Sequence, residues 1–200
     1  MNYREEKYPI NLNHLLNKAN EMAIYITNKL NDKNCPRICD LYDQIHKTYG
    51  VKPEYSIRRD IKLFNELGYV PNIESGKVKS NNEFKGLYVF GEEIDGKVAP
   101  GYIGISRSIY KRLRNHAFGK SSSTCTLAYL MAKHKYLREN DVNNVTKSLI
   151  NNSKYLAPQK AIIQNYKVVL IPVEKDYDLY LLEVVLSGLL KTKWNSFRTH

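Results

Sequence analysis

The chain has no run of eighteen apolar residues, which argues against a spanning helix, and no internal repeat or low-complexity tract beyond short Ser and Asn runs, which argues against solenoids and linkers. Cysteine is scarce: Cys35, Cys39 and Cys125 are an odd number with no disulfide framework, as suits a reducing compartment. Cys35, Cys39 and His46 lack a fourth ligand for zinc, so they read as plain thiols. The opening MNYREEKYPINLN has no charged segment followed by an apolar one and no cleavage pattern, and the expectation is a soluble, cytoplasmic protein. No basic amphipathic helix with a Trp or Phe face is visible, which disfavours a membrane-surface role.

The most telling scarcity is of acids. From Gly96 to Val173 the only ones are Glu139 and Asp141. Residues 1–80 carry 13 Lys/Arg against 10 Asp/Glu, and residues 81–200 carry 18 against 10, within a net charge of +11. A long stretch without acids does not repel phosphate, so a polyanionic partner is expected.

What is present is enough apolar residue, 42% of 200, for a real core. Over residues 10–31, Leu12, Leu15, Leu16, Ala19, Met22, Ala23, Ile26 and Leu30 recur at helical steps. A second helix follows Asn34-Cys35-Pro36, with Ile38, Leu41, Tyr42 and Ile45 on one face, and ends near Gly50. A third carries Ile57, Ile61, Phe64 and Leu67 and stops at Gly68. Two short strand-like segments, 69–73 and 76–79, complete a plan that resembles winged helix-turn-helix domains. That resemblance makes residues 1–80 a DNA-binding region, with Arg58, Arg59 and Lys62 off the apolar face of the recognition helix.

Two apolar runs, 86–90 and 101–105, flank charged residues and an Asp95-Gly96 pair, and so predict an antiparallel hairpin. The period then changes to that of a basic helix from Ser108, with Ile109, Leu113 and Ala117 inward and Ser106 or Ser108 available as a cap. The run 121–124 predicts a loop capping the next helix, which contains Leu127, Leu130, Met131, His134 and Leu137. The β-branched segment 166–173 predicts a third strand. After Asp178 a helix that is apolar nearly all round predicts burial, with Glu183 in its middle. The fold class expected is α+β: a small three-stranded antiparallel sheet flanked by helices over 84–200, with a helical insertion at about 120–165.

The ordered set Gly86-Leu87-Tyr88, Tyr102-Ile103-Gly104, Ser106, Arg112 and His116, followed by Glu183 and Asn195, resembles the catalytic core of the GIY-YIG nucleases. Only Leu87 departs from the pattern, where the family has Ile. The resemblance implies a phosphodiester hydrolase in which the strand tyrosines lie beside the attacking water, Tyr88 as general base and Tyr102 as its hydrogen-bonded partner. Tyr88 needs positive charge nearby to ionise, for which Arg112, Lys111 and Arg114 are the sources. Arg112 offers a permanently charged fork to the scissile phosphate. His116, one helical turn on, shares that face and orients Tyr88. Glu183 offers one hard oxygen ligand to Mg²⁺, or Mn²⁺ in its place, and a lone carboxylate excludes a two-metal site. Asn195 is expected to fix the phosphate or Glu183, and Lys111 and Arg114 to contact DNA.

The expected function is therefore a metal-dependent endonuclease acting on double-stranded DNA, of the restriction-enzyme kind. A homing or phage-type nuclease, a non-catalytic DNA-binding regulator, and RNA as substrate are the alternatives. A palindromic site would call for a two-fold homodimer, for which no interface is legible.

Overall fold

The computed structural model describes residues 11–49, 85–151 and 153–197. The expected third helix and wing, with Arg58, Arg59 and Lys62, lie outside them. Helices α1 (Leu12–Asn31) and α2 (Ile38–Tyr49) precede strands β1 (Gly86–Ile94) and β2 (Lys97–Ser106). Then come α3 (Ile109–Phe118), α4 (Thr126–Asn140), α5 (Lys147–Ile150), α6 (Ser153–Gln164), β3 (Lys167–Pro172) and α7 (Asp176–Leu189).

The sheet is antiparallel, in the order β2-β1-β3. The β1–β2 turn is made by Asp95 (φ 50°) and Gly96 (φ 75°), and two positive φ values are what the tight hairpin turn requires. β1 is the middle strand and is covered on both faces, so Leu87 to Phe90 are apolar without alternation. Tyr88 and Phe90 enter one core with α2, α3, α4 and α6. Leu87 and Val89 enter the other, with α1 and α7. The two N-terminal helices are thus part of the packing around the sheet. Leu15, Ala19, Met22, Ile26 and Leu30 of α1 share a core with Ile103 and Val169.

Between Phe90 and Gly91 the β1–β2 register shifts: Phe90 faces Tyr102 while Gly91 faces Pro100, which leaves Gly101 as an extra residue on β2. The bulge reverses the side-chain alternation. Val98 and Ile103, five residues apart, both enter the α1/α7 core, and Tyr102 is returned to the face that carries Tyr88.

Both sheet edges are closed. Val168 N–H donates to Pro36 O and Ile38 N–H to Tyr166 O, so the segment before α2 seals β3. On β2, the Asn31 side chain accepts from Val98 N–H and donates to Val98 O, at 3.0 and 3.1 Å. Such covering removes a template for edge-to-edge pairing.

Two sequence expectations change, and a serine stands at the start of α3 as expected. α7 buries only Leu179, Leu182, Leu186 and Ser187, while Tyr180 and Val184 are 63% and 51% exposed, because the sheet and α1 cover one side of it. The 121–124 run does not cap α4: Cys125 is the N-cap residue, and the Thr124 hydroxyl donates to Ser121 O within the loop. Ser106 acts on the turn before α3, its Oγ accepting from Ser108 N–H, and Ser108 takes the N-cap position. Among the described residues no helix is long and apolar enough to cross a membrane, and the three cysteines are free thiols.

α7 is tied down at its start by Asp176, which pairs with the buried Lys85 and with Arg107. Burial pushes the Asp176 carboxyl up, but the hydrogen bonds from Lys85 and Arg107 outweigh it and hold the pKa below its ordinary value. A depressed carboxylate stabilises the fold above its unfolded pKa and loses that contribution as pH falls through the folded one. Asp176→Asn should cost on the order of 3 kcal/mol at pH 7 by urea denaturation. The gap from wild type should close below about pH 4.

Candidate active site

β1 and β2 bring their two tyrosines to one face, and α3 supplies the other half of the site. Gly104 faces Tyr88 across the hairpin, and a Cβ there would stand 2.3 Å from Tyr88 Oη. Glycine is therefore what lets the Tyr88 ring lie across the neighbouring strand. Gly86 serves a similar purpose against β3, where a Cβ would sit 2.1 Å from Ile171 O.

The hydroxyl so placed reaches His116, with Tyr88 Oη 2.8 Å from Nε2. Tyr88, Phe90, Tyr102 and His116 form one aromatic cluster: the His116 ring centre is 5.6 Å from both tyrosines and 5.5 Å from Phe90. Phe90 stacks on Tyr102 at 5.9 Å. These separations suit edge-to-face and offset packing.

Burial governs the protonation states. The His116 pKa falls to about 3, first because the ring is buried and then because Arg112 is near, so the imidazole is neutral. Its Nδ1 is buried and has no hydrogen-bond partner among the described residues. An orphaned buried N–H is costlier than an orphaned lone pair, which favours the tautomer with Nε2–H donating to Tyr88 Oη. Burial also pushes the Tyr88 phenol well above its ordinary value and raises Tyr102; Arg112 pulls both down without reversing the shift. The expectation that nearby cations hold Tyr88 low is thus not met by Arg112 alone.

Arg112 lies one turn before His116 on α3. Its Nη2 donates to Thr126 Oγ1 at 2.9 Å and its Nη1 to Thr124 O at 3.3 Å, which leaves the fork aimed by the α3–α4 loop. Lys111 is exposed and Arg114, roughly 200° round the helix from Arg112, is half-buried. Neither lines the cleft described next.

That cleft, of about 230 Å³, is lined by Tyr102, Thr126, Glu183 and the segment 194–197. Glu183 is half-buried, and its carboxyl has no hydrogen bond or ion pair among the described residues. Burial alone raises its pKa. The order of the tyrosines differs from the sequence expectation: Tyr102 meets the cleft, whereas Tyr88 is 1% exposed behind it. Asn195 has a different task from fixing phosphate or Glu183. Its Oδ1 accepts from Ile103 N–H at 2.9 Å and its Nδ2 donates to Ile103 O at 2.8 Å. With Trp194 N–H donating to Gly101 O, it clamps the free edge of β2 on either side of Tyr102. It is a positioning residue.

Sequence reasoning missed Phe90, Thr126 and the bulge at Gly101. The Pro100-Gly101 pair inside a strand pattern was a signal for the bulge. Thr126 had none, since its bond to Arg112 joins α4 to α3. No protein-family model, curated protein or solved structure matches the chain.

Two outcomes are expected. Gly104→Ala should destabilise by about 1–3 kcal/mol in urea denaturation, as overpacking does, because Tyr88 Oη must leave His116 to admit the methyl group. Glu183→Gln, compared with wild type by thermal unfolding in metal-free buffer, should be the more stable at pH 8. A raised carboxyl pKa opposes folding above that pKa, so the difference should vanish as the solution is acidified and Glu183 takes up its proton.

Proposed function

We propose that the chain is a metal-dependent endonuclease similar to the GIY-YIG nucleases, hydrolysing phosphodiester bonds of double-stranded DNA. The observation that carries this reading is the shared cleft: Tyr102 and Glu183 line it, with Arg112 bonded to its wall and the Tyr88–His116 pair behind. A site-specific restriction enzyme is the kind favoured, with Arg58, Arg59 and Lys62 of a winged-helix-like segment adding DNA affinity; a homing or phage-type nuclease is the nearest variant. The free thiols suit work in the cytoplasm.

Glu183 fits Mg²⁺ or Mn²⁺, since it is a hard oxygen ligand without a competing partner among the described residues. An ion bound there supplies positive charge to the phosphoryl oxygens and the leaving 3′ oxygen. The remaining parts are the chain's own. Arg112 offers its guanidinium to a non-bridging oxygen. The tyrosine pair is the base, titrating as a coupled unit with Tyr102 at the cleft and Tyr88 steadied by His116 Nε2–H. The water oxygen bonds to phosphorus as its proton passes to the phenolate, the P–O3′ bond breaks, and the 3′ oxygen takes a proton from solvent.

Because both phenols are pushed up, the basic form is scarce at neutral pH. Nicking of supercoiled plasmid with Mg²⁺ should rise about tenfold per pH unit on the acid side of the pair's pKa. Glu183→Gln should lower it by at least ~10²-fold. Undiminished cutting by that variant, or a rate that falls with pH, would defeat the mechanism, and binding without cutting under any metal would favour the regulator.

A further inference from the structure

The cleft does not end at Asn195. A larger groove of about 640 Å³ shares Leu130, Trp194, Asn195 and Ser196 with it, so the two adjoin along those residues. One wall is a second face of α4: Leu130, Lys133, His134 and Leu137 fall at steps of three, one and three. The face of that helix with Ala128, Met131 and Ala132 is buried in the core. The other wall is the segment Lys193–Ser196, held to β2 by Trp194 N–H and the Asn195 amide.

The lining holds two lysines and no acid. Lys133 has no ion pair or hydrogen bond among the described residues. Lys193 has no acidic partner there either, its Nζ lying 4.9 Å from the centre of the Trp194 ring. The Trp194 and His134 rings meet edge to face with centres 5.8 Å apart, which adds an aromatic surface to the groove that holds the two lysines. The nearest acid on α4, Glu139, pairs with Lys135. Cations without acids, beside an aromatic surface and adjoining the Glu183 cleft, suit a sugar–phosphate strand.

We infer that this groove carries the DNA strand next to the phosphate held at the Glu183 cleft, with Lys133 and Lys193 each neutralising one flanking phosphate. The inference rests on the nuclease reading for the identity of the strand, but not for the presence of the contacts.

The test uses the full chain and a fluorescein-labelled 30-base-pair duplex, followed by anisotropy over a salt series without divalent metal. The slope of log Kobs against log salt should be about 1.8 less steep in Lys133→Gln/Lys193→Gln than in wild type, from ~0.9 per phosphate contact. A control of equal charge, Lys18→Gln/Lys97→Gln, should leave the slope unchanged. Circular dichroism melts check that the variants fold. An unchanged slope in the groove variant, an equal loss in the control, or no binding by wild type overturns the inference. Tighter binding of an RNA duplex of the same sequence, with the same loss of slope, overturns DNA as the occupant. Plasmid nicking by wild type is scored separately. Nicking with an unchanged slope leaves the nuclease reading standing and removes the groove, whereas a lost slope without nicking does the reverse.

Discussion

The close approach of Tyr88 to Gly104 is the contact on which the rest of the site depends. A side chain at position 104 has no room, since a Cβ would lie 2.3 Å from the phenol oxygen, so the hydrogen there is what allows an aromatic ring to cross from one strand over the next. That crossing puts Tyr88 Oη within 2.8 Å of His116, and His116 in turn fixes which face of α3 turns inward. Arg112, one turn earlier on α3, is carried to the same side as a consequence. Two strands and a helix are thus locked by a hydroxyl and a missing methyl.

The second tyrosine reaches the site by a different route. Regular alternation from Val98 would send residue 102 into the α1/α7 core, and the extra residue at Gly101 reverses it. A bulge in an edge strand is a weak point, because the unpaired backbone frays and the ladder is interrupted. Here the edge is held on both sides of the bulge by asparagine amides that imitate a neighbouring strand, Asn31 on Val98 and Asn195 on Ile103. These residues come from helix α1 and from the segment after α7. The position of Tyr102 therefore depends on elements far apart in the chain.

That dependence explains which features were legible in the sequence. The hairpin, the third strand and helices α1 to α4 and α7 follow from local period and turn chemistry, and Asp95-Gly96 announces its turn directly, whereas the Asn-rich stretch around α5 and the start of α6 has little periodicity to read. The alternation across the bulge does not, because it is decided by pairing with β1. A role for Asn195 could be assigned only by resemblance, since the amide chooses between a substrate and a backbone 92 residues away. The apolar character of α7 misled for a related reason: periodicity tells how much apolar surface a helix has, while burial depends on what packs against it, and Tyr180 and Val184 are exposed. The partner of Arg112, Thr126, stands just after a Ser/Thr run whose best local reading was a helix cap, and nothing local links it to α3.

Burial dominates the electrostatics of the site. Three acids surround it, Tyr88, Tyr102 and Glu183, and burial pushes each toward its protonated form. Against them the site sets one guanidinium, which adds to burial in keeping His116 from becoming a cation. Arg112 lowers both phenols without bringing either to its ordinary value, and it is not among the groups that shift Glu183. A carboxyl half-buried without an acceptor for its charge is a cost the fold could have avoided with Gln or Leu, since α7 packs its other residues well enough. The cost makes sense if the carboxylate is used in its ionised form by something that brings positive charge with it. In the proposed nuclease a cation at Glu183 would draw down that carboxyl and, with it, Tyr102, which shares the cleft. Burial thus favours the uncharged form of all three groups, and a cation at Glu183 is what the proposed function would add.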